Sequence, residues 1–147
     1  MATIRRGAAT GLRCCLLAAP FLLQACAEKP PAPRVSSTRM FAADMVGGAK
    51  QCTASKPELK PGQQASATMK VGNDSGWCAI RVALDDHPYA AGLLTTPATH
   101  GKVFIHPVGD ETRIDYSPAP GYAGPDAFVV QLIPGDPSVR VAVTVTR

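Results

Sequence analysis

The stretch "DYSPAPGYAGPDAFVVQL", Asp115 to Leu132, sets three prolines, two glycines and two tyrosines between two strand-like runs. Pro118 and Pro120 stiffen the backbone, whereas Gly121 and Gly124 permit positive φ. Tyr116 ends one strand pointing inward, and Phe128 starts the next in the core. Tyr122 folds back over the end of the fold, and Asp126 is placed to accept backbone N–H groups of its own turn. The stretch reads as a corner by which a β-protein crosses from one strand to another, and its role is architectural. A ligand-binding loop is the rival reading.

Outward from this corner the hydrophobic period is two. Ala65, Ala67, Met69 and Val71 alternate with Ser66, Thr68 and Lys70, which is the pattern of a half-buried strand. "NDSG" (73–76) is a turn, and "WCAIRVAL" (77–84) is the next strand. "DDHPYAAG" (85–92) loops across to Leu93. "GKVFIHPV" (101–108) and "TRIDYS" (112–117) are two further strands joined by a turn at Gly109-Asp110. "AFVVQLI" (127–133) follows the corner. "VRVAVTVT" (139–146) ends the chain, with Val139, Val141, Val143 and Val145 on one face. Six to seven short strands with turn chemistry between them predict a single all-β, antiparallel β-sandwich.

The chain of 147 residues has room for one such domain and some extras. Residues 1–25 carry Arg5, Arg6 and Arg13 and then the apolar run "CCLLAAPFLL" (14–23), with no acid before Glu28. This is the composition of a secretory signal peptide. The run is shorter than the roughly 20 residues a spanning helix needs. Arg5-Arg6 lacks the flanking residues of a twin-arginine signal, so the general export route is preferred. "LLQAC" (22–26) resembles the lipobox of bacterial lipoproteins, in which the cysteine is acylated and becomes the first mature residue. That resemblance implies lipid attachment at Cys26 and a membrane partner. Ala27 behind the cysteine resembles an outer-membrane address. Ordinary cleavage after Ala25-Cys26-Ala27 is the rival. Residues 26–49 are rich in proline and serine and read as a tether, in which "FAADMVGG" (41–48) could form one short helical turn. Residues 50–147 are the sandwich.

Three of the 15 basic residues lie in the leader and all 11 acids lie after it, so the remainder carries 12 basic and 11 acidic residues, a net of +1. Such a balance makes no electrostatic case for nucleic acid as a partner. Cys14 and Cys15 leave with the leader and Cys26 goes to lipid. Cys52 and Cys78 remain, an even pair in an oxidising compartment. A bridge between them would stabilise the fold by about 3 kcal/mol on the chain-entropy account. Two buried free thiols are the alternative, and a cysteine-based zinc site lacks further ligands at a usual spacing.

"PATHGKV" (97–103) followed by "IDYSPAPGYAGPDAFVV" (114–130) resembles the bacterial Ig-like, cadherin-like repeat. That family combines a strand start of proline, glycine and valine with a Tyr-x-Pro-x-x-Gly-Tyr/Phe-x-Gly-x-Asp-x-Phe signature. Here Tyr116, Pro118, Gly121, Tyr122, Gly124, Asp126 and Phe128 carry it. The resemblance covers about half of the fold. It implies an Ig-like sandwich exposed outside the cytoplasm, in a family usually found as tandem copies in long surface proteins.

His87, His100 and His106 are read as exposed loop histidines. Asp85-Asp86 and Asp110-Glu111 are read as solvated turn residues, since further acidic signatures of a calcium site are missing. Trp77 beside Cys78 is expected to be a core anchor packed on the disulfide, with a sugar-stacking platform as the alternative. No nucleophile, paired carboxylates or Cys/His couple points to catalysis. Neither a cofactor nor a metal site is expected. The function expected is a non-catalytic envelope lipoprotein whose Ig-like domain binds a protein or glycan or supports envelope assembly. The alternatives are a periplasmic small-ligand or metal-handling protein using His87 or His106, or a secreted enzyme inhibitor.

Overall fold

The computed structural model describes residues 40–147. The expected leader (1–25), the expected acylation site Cys26 and most of the expected tether lie outside the described residues. Eight strands form two facing sheets: β1 (Cys52–Ala54), β2 (Gln64–Gly72), β3 (Cys78–Val82), β4 (Ala91–Thr96), β5 (Gly101–Val108), β6 (Glu111–Pro118), β7 (Gly124–Ile133) and β8 (Ser138–Thr146). One sheet has the order β1-β2-β8-β7-β4 and the other β3-β6-β5. The protein is thus an all-β sandwich.

Period-two alternation explains the core. β8 turns Val139, Val141, Val143 and Val145 inward and leaves Arg140, Ala142 and Thr144 exposed. β2 contributes Ala67, Met69 and Val71, and β7 contributes Phe128, Val130 and Leu132. The three-stranded sheet answers with Ile80, Val82, Ile114 and Tyr116. The Tyr116 and Phe128 rings stack across the interior at 5.9 Å between centroids.

Two features depart from the pattern reading. β1 and β4 replace what reads as loop, bringing the count to eight. β1 is three residues long and mostly exposed, and β4 buries no side chain fully, so neither carries an alternating signal. β2 and β8 pair in parallel, from Gln64↔Ser138 to Gly72↔Thr146, whereas the other pairs are antiparallel as expected. A short hairpin forces the antiparallel direction, but β2 and β8 are joined through nearly the whole domain and are free of that constraint.

Residues 40–49, assigned to the tether by composition, pack on the sandwich. A 3-10 turn at Ala42–Met45 matches the helical turn expected there. It is closed by the Asp44 N–H on the Phe41 carbonyl and by the Phe41 N–H on Asp44 Oδ2, both at 2.9 Å. Gly48 then bridges to Trp77.

Cys52 and Cys78 form a disulfide, with a sequence separation of 26. It joins β1, at the edge of the larger sheet, to β3, at the edge of the smaller one, where no hydrogen-bond ladder connects the layers. Alkylation of the unreduced protein should leave both cysteines unmodified in a mass spectrum. Cys52→Ala with Cys78→Ala should lower stability by about 3 kcal/mol. Full labelling of both thiols without reductant would remove the staple.

Candidate functional site

Two polar clusters lie inside or against the sandwich. The first is the corner. Asp126, nearly buried at the start of β7, receives four hydrogen bonds on its carboxylate. Oδ1 accepts the N–H groups of Thr99 at 3.0 Å and Ala127 at 2.9 Å. Oδ2 accepts the His100 N–H at 2.8 Å and the Tyr116 hydroxyl at 2.9 Å. Asp126 therefore serves its own turn through Ala127 alone. Its main partners belong to the β4–β5 connection, which the crossing between sheets lays beside the start of β7.

The remaining corner residues close around this carboxylate. Pro118 is buried at the end of β6, opposite Gly101 of β5. Gly121 and Gly124 have φ of 77° and 143°, in the region that glycine tolerates best. Tyr122 donates its hydroxyl to the Pro125 carbonyl at 2.6 Å and stacks on the His100 ring, with centroids 4.0 Å apart. Gly101 is required for a different reason: a Cβ there would sit 2.3 Å from the Tyr116 ring. Asn73, legible beforehand only as a turn residue, donates its Nδ2 to the carbonyls of Ala119 at 2.7 Å and Tyr122 at 2.8 Å.

Electrostatics follow from these contacts. Burial alone would push the Asp126 carboxyl upward, but the N–H groups of Thr99 and His100, the Tyr116 hydroxyl and the Ala127 N–H outweigh it and hold the carboxyl below its ordinary value. Burial, and then the hydrogen bond to this carboxylate, raise the Tyr116 hydroxyl well above the usual phenol range.

The second cluster sits on the outer face of the three-stranded sheet. Arg113 and Asp115 are two apart on β6, so both point away from the core, and both are nonetheless buried. Arg113 donates Nη2 at 2.8 Å and Nε at 3.1 Å to Asp115 Oδ2. Its Nε also makes an ion pair with Asp115 Oδ1 at 2.8 Å, an oxygen that is buried without a hydrogen bond. Arg113 Nη1 donates to the Asp44 carbonyl at 2.6 Å, and the guanidinium lies 4.1 Å over the Trp77 ring. His106, across the sheet on β5, holds Nε2 at 3.1 Å from Asp115 Oδ2 and Nδ1 at 3.8 Å from Asp44 Oδ1. Trp77 Nε1 donates to the Val46 carbonyl at 3.1 Å. The cluster is a clamp that holds residues 41–48 on the sheet.

Two expectations are corrected here. Trp77 is not a core anchor on the disulfide: it is half-buried on the outer face against Arg113. Neighbouring residues of an extended chain point to opposite faces, so Cys78 inside puts Trp77 outside. His106 is not an exposed loop residue either, because it lies half-buried on β5 between two carboxylates. His87 and His100 are exposed in loops, as expected, and so are Asp85 and Asp86 in their turn. The missed cluster had one sequence signal. In "TRIDYS" the opposite charges Arg113 and Asp115 share a strand face, where a solvated pair and a buried one look alike.

Among the described residues no group of three or more His, Cys, Asp and Glu side chains is arranged to hold a metal ion. No family model matches the chain, and no curated protein matches it.

The corner geometry makes Asp126 the residue to test. Asp126→Ala leaves two partly buried loop N–H groups without their acceptor and should cost about 2 kcal/mol. Asp126→Asn keeps one acceptor oxygen and should cost less. A carboxyl lowered by folding contributes stability that is present above its unfolded value of 3.8 and is lost as pH falls through the folded value. The difference in melting temperature between wild type and Asp126→Asn should therefore hold above pH 3.8 and shrink as pH falls below it through the folded value. Calcium should shift neither melt; a calcium-dependent rise confined to the wild type would make the corner a ligand loop.

Proposed function

We propose that the chain is a non-catalytic lipoprotein of the bacterial cell envelope. Cys26 is its acylated residue, the proline-rich segment behind it is a tether, and an Ig-like domain binds an envelope protein at the far end of that tether. The location proposed is the outer membrane.

The strand order supports the Ig-like part. With β2 to β8 taken as strands A to G, the smaller sheet reads B-E-D and the larger one contains G-F-C, the two Ig sheets. The first strand, β2, is moved onto β8. The corner then falls between strands E and F, where Ig-like domains place a tyrosine corner. Tyr122 bonds forward to Pro125, a local variant of that device.

The observation that carries the binding role is the β4 edge. β4 is hydrogen-bonded only to β7, so its other side offers free backbone donors and acceptors for an added strand. Leu93, Leu94 and, on neighbouring β7, Ile133 stand partly exposed along it. Free backbone groups bordered by apolar side chains suit a peptide strand better than a glycan.

Two measurements test this reading. Wild-type protein should label with palmitate and partition into detergent, and Cys26→Ser should release it; soluble, unlabelled wild type starting at Glu28 would end the lipoprotein assignment. A photoreactive residue at Leu93 should give one discrete cross-linked protein in cells, whereas the same probe at Arg140, on the outer face of the larger sheet, should not. Equal labelling from both positions, or none from Leu93, would end the β4 assignment.

A further inference from the structure

We infer that the outer face of the three-stranded sheet rests on the surface of the bilayer that holds the acylated Cys26, an inference that builds on the lipoprotein reading above. Met40, Phe41, Met45, Val46 and Phe104 are each between one half and two thirds exposed. They account for five of the eight large apolar side chains exposed among the described residues. The contacts of the clamp place Phe41, Met45, Val46 and Phe104 together, and Met40 adjoins Phe41 in the chain. The Phe104 ring lies 4.6 Å from the His106 ring, His106 faces Asp44, and Asp44 sits in the turn flanked by Phe41 and Met45. Val46 follows, with its carbonyl held by Trp77.

This arrangement is unusual for a short segment folded on a domain. Arg113, Asp115, His106 and Trp77 hold the segment by its backbone and by Asp44, while its apolar side chains remain turned to the outside. Exposed apolar patches rimmed by polar residues mark a contact surface. Lys102, on the same face of β5 as Phe104, adds a positive charge at the rim, as an anionic lipid surface favours.

The position of the patch in the chain selects the occupant. Four of its five residues are the first ones of the described fold, directly behind the tether. Fourteen residues, Cys26 to Arg39, separate the lipid from Met40 and span at most about 50 Å even when fully extended. Whatever orientation the domain takes, the point where the chain joins it stays within that reach of the bilayer, and the patch surrounds that point. The acyl chains supply the anchorage, and the patch sets the orientation, with the larger sheet turned away from the lipid.

The test uses the acylated protein in vesicles of phosphatidylethanolamine and phosphatidylglycerol in equal parts. A polarity-sensitive fluorophore is placed at Lys102→Cys, beside the patch, or at Arg140→Cys, on the opposite side of the sandwich. Lipid-borne quenchers should quench the probe at 102 several-fold more than that at 140. Adding Met45→Ser with Phe104→Ser should abolish the difference while the Cys52–Cys78 bridge stays intact. Acylated protein quenched equally at both positions overturns the orientation and leaves the lipoprotein reading standing. A lack of lipid on Cys26 by mass spectrometry overturns that reading, and this inference with it. A concentration-dependent dimer of the Cys26→Ser chain that Phe104→Ser dissociates would assign the patch to a second copy and likewise overturn the inference.

Discussion

The carboxylate of Asp126 is the point on which the upper end of the sandwich depends. Four donors converge on it from three parts of the chain: the β4–β5 connection, the end of β6 and the residue that follows it on β7. A carboxylate is suited to this because it offers only acceptors, two oxygens with several lone pairs, and N–H groups at a strand crossing have lost their ladder partners. Without it, the Thr99 and His100 N–H groups would lose their acceptor, and the buried Tyr116 phenol would keep only the longer contact to the His100 carbonyl at 3.3 Å. The Tyr116 ring lies over Gly101 and Phe128, so the same contact also sets the distance between the two sheets at this end.

A different solution operates on the outer face of the smaller sheet. Charged residues on an outward strand face ordinarily stay in water, where an ion pair contributes little. Arg113 and Asp115 are instead covered by the incoming chain and by Trp77, and there each must be satisfied locally. The Arg113 guanidinium does this with all three of its nitrogens: a carboxylate on one side, the Asp44 carbonyl on the other, and an aromatic ring against its face. A lysine could not satisfy that geometry. The consequence is mechanical, since residues 41–48 are held on the sheet before the disulfide is reached.

These two clusters divide the surface of the protein. One outer face receives the incoming chain together with most of the exposed apolar side chains, and the β4 edge of the other sheet retains an unpaired backbone. The disulfide complements this division by joining two sheet edges that no hydrogen-bond ladder connects.

Much of this architecture is legible in local patterns. The valines of β8, the alternation of β2 and the turn at Gly109-Asp110 each encode their conformation within a few residues, so the strands, the all-β class and the corner could be read directly. The pairing of Cys52 with Cys78 followed from cysteine arithmetic. Short or exposed strands such as β1 and β4 bury too little to leave a periodic trace, and they emerged only with the fold. The parallel pairing of β2 with β8 is set by how the six connections between them close, and no local stretch contains it. The same holds for the partners of Asp126 and for the clamp. Strand alternation places Arg113 and Asp115 on one face, but whether that face meets water or another piece of chain depends on where residues 40–48 run. Burial is a property of the assembled layers, and it turns an ordinary charged pair, a histidine and a tryptophan into one site.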